Sequence, residues 1–163
     1  MPYENNLESS NPGCIVFLID QSGSMGSMWD KSGYSMAYGA SQAVNKTLDE
    51  IALRCTKEGE IKPRAMIGVY GYHHDTVEWA ITDTASEQGG LASIASISAN
   101  VKDEVFDDED ETFIPVFVKE TASGGTPMAE ALDQIVEIVE NFAQNNPNSY
   151  PPIVINITDA QAT

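Results

Sequence analysis

Cys14-Ile15-Val16-Phe17-Leu18-Ile19-Asp20-Gln21-Ser22-Gly23-Ser24-Met25 reads as a buried strand that runs straight into a loop of hard oxygen donors. The unbroken apolar run from Cys14 to Ile19 fits a central strand of a parallel sheet covered on both faces, where alternation with polar residues is lost. Asp20, Ser22 and Ser24 then follow at a spacing of two. In an extended loop that spacing lets side chains converge on one point, and Gly23 allows a sharp turn without a Cβ clash. Carboxylate and hydroxyl oxygens suit Mg²⁺, Mn²⁺ or Ca²⁺, and no sulfur or imidazole stands close enough in sequence to favour zinc. The same residues also form ordinary turns by bonding their own backbone, so the stretch gains its meaning from what accompanies it.

Two later segments accompany it. Gly124-Gly125-Thr126-Pro127 precedes an amphipathic run, and Ile153-Val154-Ile155-Asn156-Ile157-Thr158-Asp159 is a second apolar strand ending in a carboxylate. With these three pieces in order the sequence resembles the von Willebrand factor type A family, in particular its stand-alone cytoplasmic members from bacteria. The family's metal-ion-dependent adhesion site uses D-x-S-x-S, a distant Thr and a later Asp. The resemblance implies that Asp20, Ser22, Ser24, Thr126 and Asp159 form a metal site, some contacts direct and some through water. It implies a three-layer, Rossmann-like α/β fold: a mainly parallel sheet, one antiparallel edge strand, and helices on both faces. Two departures stand out. Ala160 takes the place of the Gly common after the final Asp, and the sheet of the family continues beyond the point at which Thr163 ends this sequence. The expectation is a domain over residues 14–163 that lacks its C-terminal strands, preceded by a flexible arm over residues 1–13.

At 163 residues, with 42% hydrophobic content, the chain is long enough for one domain with a core. No segment approaches the roughly 18 continuous apolar residues of a membrane span. Met1 to Gly13 has two acidic and no basic residues, unlike a secretory leader, so a cytoplasmic location is expected. Twenty-five acidic residues against eight basic ones give a formal charge of −17, which repels nucleic acid phosphates and anionic lipid surfaces. Neither is an expected partner. Cys14 and Cys55 read as small apolar packing residues rather than a disulfide.

Along the chain, Ala37, Ala40, Val44, Leu48, Ile51 and Cys55 recur at helical spacing. Ala65 to Tyr72 and Thr76 to Ile81 read as a hairpin at a sheet edge, turned at His73-His74-Asp75. Adjacent histidines in a strand point to opposite faces, so this pair reads as hairpin surface rather than as zinc ligands. Leu91, Ile94, Ile97 and Val101 predict a short helix. The acid-rich stretch Asp103 to Glu111 reads as a solvated loop, and Phe113 to Lys119, which contains Pro115, as an edge strand. A helix begins near Pro127, with Met128, Leu132, Ile135, Val139 and Phe142 as its buried stripe, and Pro147 prevents its continuation. Met25, Met28 and Trp29 read either as packing beneath the metal loop or as an apolar rim for a partner.

The resemblance implies a protein-binding module rather than an enzyme: a Mg²⁺ ion (or Mn²⁺ or Ca²⁺) leaves a coordination position that a partner's Asp or Glu carboxylate completes. The alternative is Mg²⁺-dependent phosphoryl transfer or phosphate binding, with Asp20 as nucleophile or ligand and Gly124 to Thr126 cradling phosphate. Against it, Ser22 stands where phosphatases of the haloacid dehalogenase type need a second acid, and no P-loop lysine is present. A last strand ending the sheet early would leave an open edge, so self-association or completion by a partner strand is also expected.

Overall fold

A computed structural model describes residues 7–29, 31–87 and 89–159. The first strand, β1 (Gly13–Asp20), is followed by a 3₁₀ turn at Gly23–Gly26 and helix α1 (Met36–Arg54). A small hairpin comes next, β2 (Thr56–Lys57) with β3 (Glu60–Ile61), and then β4 (Ala65–His73) and β5 (Thr76–Trp79). After these come β6 (Ala92–Ser93), α2 (Ile94–Asn100), β7 (Glu104–Asp107), β8 (Thr112–Pro115), α3 (Met128–Asn145) and β9 (Ile153–Ile157). The protein is thus mixed α/β, and no helix among the described residues is long and apolar enough to cross a membrane.

The main sheet runs β5-β4-β1-β9, with the short β6 also paired to β4. β1 lies parallel to β4 and to β9, whereas β5 and β6 are antiparallel to β4. Burial on both faces explains the apolar run in β1: Phe17 and Ile19 join a core with α1 and α2, while Cys14, Val16 and Leu18 join a second core with α3. Helices therefore cover both faces. Cys14 and Cys55 are free and buried, and burial pushes the Cys14 thiol up to about 12.

Several expectations change. β1 begins at Gly13, which pairs with Ala65 in the sheet, one residue before the expected start of the domain; residues 1–6 of the expected arm lie outside the described residues. The stretch from Asp103 to Glu111 is not a loop throughout. Its first part is β7, paired antiparallel to β8, because Val105 and Phe106 supply strand-forming side chains and the acids collect at the turn. In α3 the buried residues are Ala131, Ile135 and Phe142, whereas Leu132 is 41% exposed. The small Ala131 lets the helix approach the sheet closely, and Leu132 sits about 100° around the helix from it. β9 is exposed rather than buried, with Ile153 at 55%, Val154 at 40% and Ile155 at 38%, since β1 is the only strand paired with it among the described residues.

One polar residue ties the two parts of the first core together. Asn45 is 1% exposed in the middle of α1. Its Nδ2 donates to the Val118 carbonyl at 3.1 Å, and its Oδ1 accepts from the Phe117 and Val118 amides at 3.0 and 2.9 Å. The segment after β8 meets its neighbour in an isolated antiparallel bridge, Ile81 with Val118, and Asn45 satisfies the Phe117 and Val118 amides and the Val118 carbonyl. Replacing Asn45 with Ala strands three buried backbone groups, so chemical denaturation should show a loss on the order of 3 kcal/mol. A loss below about 0.5 kcal/mol, the range of an ordinary surface change, would show that the bridge is dispensable.

Candidate metal site at the carboxyl end of the sheet

Because β1, β4 and β9 are parallel, their carboxyl ends share one rim of the sheet. The register sets Asp20 opposite Tyr72 on one side and Ile19 opposite Ile157 on the other. Thr158 and Asp159 therefore leave β9 beside Asp20. The helices joining these strands lie on opposite faces, α1 between β1 and β4 and α3 ahead of β9, so β1 stands where connections diverge. That is the position at which open α/β sheets form a ligand crevice.

Asp20 is the last residue of β1 and is fully buried. Its Oδ1 accepts from the Ser22 amide at 2.9 Å, and its Oδ2 accepts from the Thr158 hydroxyl at 2.7 Å. Among the described residues no Lys, Arg or His pairs with it. Ser22, 2% exposed, has its hydroxyl 3.1 Å from that of Ser24. The site is graded, from the closed carboxylate of Asp20 out to the half-buried Ser24 and Asp159.

The Gly124 loop is stapled to this first loop through the backbone. The Gly23 amide donates to the Gly124 carbonyl at 2.9 Å, and the Ser123 amide donates to the Gln21 carbonyl at 2.8 Å. Thr126 lies two residues beyond the staple and is 6% exposed. It does not cap α3, whose N-cap position is taken by Pro127 with no side-chain capping bond. Asp159 reaches the same neighbourhood: burial raises the Tyr72 hydroxyl pKa first of all, and the charges of Asp20 and Asp159 push it further the same way. Tyr72 also donates to Asn156 Oδ1 at 2.8 Å, linking β4 to β9 under the site.

The structure thus gathers Asp20, Ser22 and Ser24 in one hydrogen-bonded set. It fixes the segment that carries Thr126 against that set, and it puts Asp159 within electrostatic reach. The donors are two carboxylates and three hydroxyls; no group of three His, Cys, Asp or Glu that would hold a metal occurs among the described residues. This composition fits a hard cation that takes hydroxyl and water oxygens, and not zinc.

Three contributors are invisible in the sequence pattern. Thr158 supplies the second hydrogen bond to Asp20. Gln21 packs its amide against Gly71, where a Cβ would collide with it. His74 lies over Gly124. The two histidines do not point to opposite faces: His74 adopts φ 49°, which turns it out of the strand, and the Nδ1 atoms of His73 and His74 come within 2.9 Å. None of the three has a spacing signal, because each depends on how the strands and loops meet.

No protein-family model, curated protein or solved structure matches this chain.

Gly124 carries φ +72° and the His74 ring occupies the space a Cβ would need. Gly124→Ala should therefore lower stability in urea unfolding by more than the about 1–3 kcal/mol that left-handed strain costs by itself. Gly59, also at positive φ but with open space around it, is the control, and its Ala variant should lose less. Equal losses would remove the packing of His74 on the loop as a constraint.

Proposed function

We propose that this protein is a von Willebrand factor type A-like domain, Rossmann-like in its layering, that acts as a divalent-cation-dependent protein-binding module. Asp20, Ser22, Ser24, Thr126 and Asp159 would hold the ion, Mg²⁺ by preference or Mn²⁺ or Ca²⁺. When bound, the cation supplies an electrophilic position that accepts a carboxylate oxygen from a partner protein's Asp or Glu. The residues of this chain do the rest. Ser22 and Thr158 orient the Asp20 carboxylate, the Gly23–Gly124 bond sets the separation of the two loops, and the buried floor excludes water. The role assigned is that of an adaptor in the cytoplasm, not of an enzyme.

The observation that carries this reading is the state of Asp20: a carboxylate with no exposed surface, two hydrogen bonds and no cationic side chain beside it among the described residues. A buried charge left without a counter-charge is costly, and folds keep such groups where a ligand compensates them. Asp20→Asn tests this without emptying the space. Mg²⁺ should raise the melting temperature of the wild type and give a calorimetric binding signal, and both effects should vanish in Asp20→Asn, which without metal should melt no lower than the wild type. Equal Mg²⁺ responses in the two proteins contradict the proposal. Turnover of a phosphate ester that depends on Asp20 would favour the phosphoryl-transfer alternative.

β9 supports a second element of the proposal, completion of the sheet by an added strand from a partner or another copy. Its apolar residues are exposed and it pairs with β1 alone among the described residues. Unpaired edges of this kind are templates for strand addition. Hydrogen exchange should find the β9 amides faster than those of β4, and slower at protein concentrations where sedimentation detects association. A monomer at every concentration with β9 as protected as β4 would contradict it.

A further inference from the structure

Four of the five large aromatic side chains that are exposed among the described residues gather on one side of the molecule: Trp29 (60%), Tyr34 (50%), Phe106 (47%) and Phe113 (58%). Trp29, Tyr34 and Phe106 line a groove of about 610 Å³ between the loop that follows the candidate metal site and the β7–β8 hairpin. Its floor is α1 at Gly39 and Ala43, two small residues that give the groove depth. The ring of Trp29 lies over Gly39, where any side chain would collide with it. On the same wall Tyr34 stacks on Tyr38 with ring centres 4.7 Å apart. Opposite, Phe106 is braced edge-on by Phe113 at 5.3 Å. Exposed apolar surface gathered this way around a depression marks a binding surface.

The charge at the groove's far end states what it would take. Lys46 is held by Asp107 at 2.5 Å and approaches Asp110 at 3.5 Å and, at the limit of an ion pair, Glu109 at 3.9 Å, so its positive charge is already neutralised. The lining also carries Lys31, so the three carboxylates of Asp107, Asp108 and Glu109 stand against two cations, on a protein whose formal charge is −17. Aromatic faces beside carboxylates attract a cation on a flexible apolar stem, through the ring quadrupole and through opposite charge together. A second copy of so acidic a chain is repelled from the same place.

We propose that this groove binds an arginine- or lysine-bearing segment of a partner protein, with the side-chain stem against Trp29, Tyr34 and Phe106 and the cationic head toward Asp108 and Glu109. The site is separate from the cation reading: it uses none of the residues assigned to metal, and it touches that site only through the shared loop.

The probe is an acetylated Gly-Arg-Gly-Arg-Gly amide, titrated calorimetrically at about 150 mM salt so that long-range attraction is screened. Its counterpart carries citrulline, the neutral isostere, in place of both arginines. The arginine peptide should bind about tenfold tighter than the citrulline peptide, and the uncharged double variant Trp29→Ala/Phe106→Ala should bind the arginine peptide about tenfold more weakly than the wild type. Both replaced side chains are exposed, so folding should survive, and the far-ultraviolet circular dichroism of the variant should match the wild type. Asp20→Asn should bind the arginine peptide as the wild type does, which keeps failure of this proposal distinct from failure of the metal site. Absence of binding, equal binding of the citrulline peptide, or an undiminished affinity in the aromatic variant overturns the proposal, the last by reducing the attraction to bulk charge.

Discussion

The burial of the Asp20 carboxylate at the end of the central strand is the constraint around which the rest of this structure is arranged. A strand covered on both faces must be apolar, and β1 is, until its final residue. That residue then has to be satisfied from outside the strand. Ser22 does so by turning the following loop back on it, and Thr158 by arriving from the neighbouring parallel strand. The parallel pairing of β1 with β9 is what brings Thr158 there, and the helices on opposite faces are what allow both pairings. Fold and site are in this sense one requirement, because an antiparallel β9 would present its other end to Asp20.

The polar residues next to the site perform related tasks at different places. Tyr72 joins β4 to β9 through Asn156, and its hydroxyl is kept neutral by burial and by the two nearby carboxylates. Gln21 fills the space left by Gly71, and His74 the space left by Gly124, so two glycines on separate segments are matched by two side chains from others. Asn45 satisfies backbone groups beside the isolated Ile81–Val118 bridge at the β8 exit, much as Thr158 satisfies the Asp20 carboxylate. Such groups are costly when half satisfied.

What the sequence made legible follows from the range of the interaction concerned. The apolar run from Cys14 to Ile19, the helical spacing from Ala37 to Cys55 and the Gly124-Gly125-Thr126 entry to a helix are local patterns, and the elements stand where those patterns put them. The hairpin at His73 was legible too, but not the rotation of His74 into positive φ, which follows from the turn's backbone. Leu132 was read as core and is exposed, since periodicity cannot tell which side of a stripe meets the sheet when a small residue such as Ala131 permits closer approach. The acid-rich segment conceals β7, because the charge at its turn masks the strand-forming side chains of Val105 and Phe106. At the site, the spacing of Asp20, Ser22 and Ser24 was legible but also fits an ordinary turn, and it took its meaning from the later Gly124-Thr126 and Ile153-Asp159 segments. Thr158, Gln21 and His74 were not legible, as they act only through contacts between segments distant in sequence.

The central claim is that three segments distant in sequence surround one cation. Paramagnetic broadening by substoichiometric Mn²⁺ in a nuclear magnetic resonance spectrum tests it most directly, since the effect reports distance from the ion. The amide signals of residues 20–24, 124–126 and 158–159 should broaden together, recover on addition of excess Mg²⁺, and remain sharp in Asp20→Asn. Broadening confined to the acidic turn at residues 108–111, with the signals around Asp20 unchanged, would contradict it.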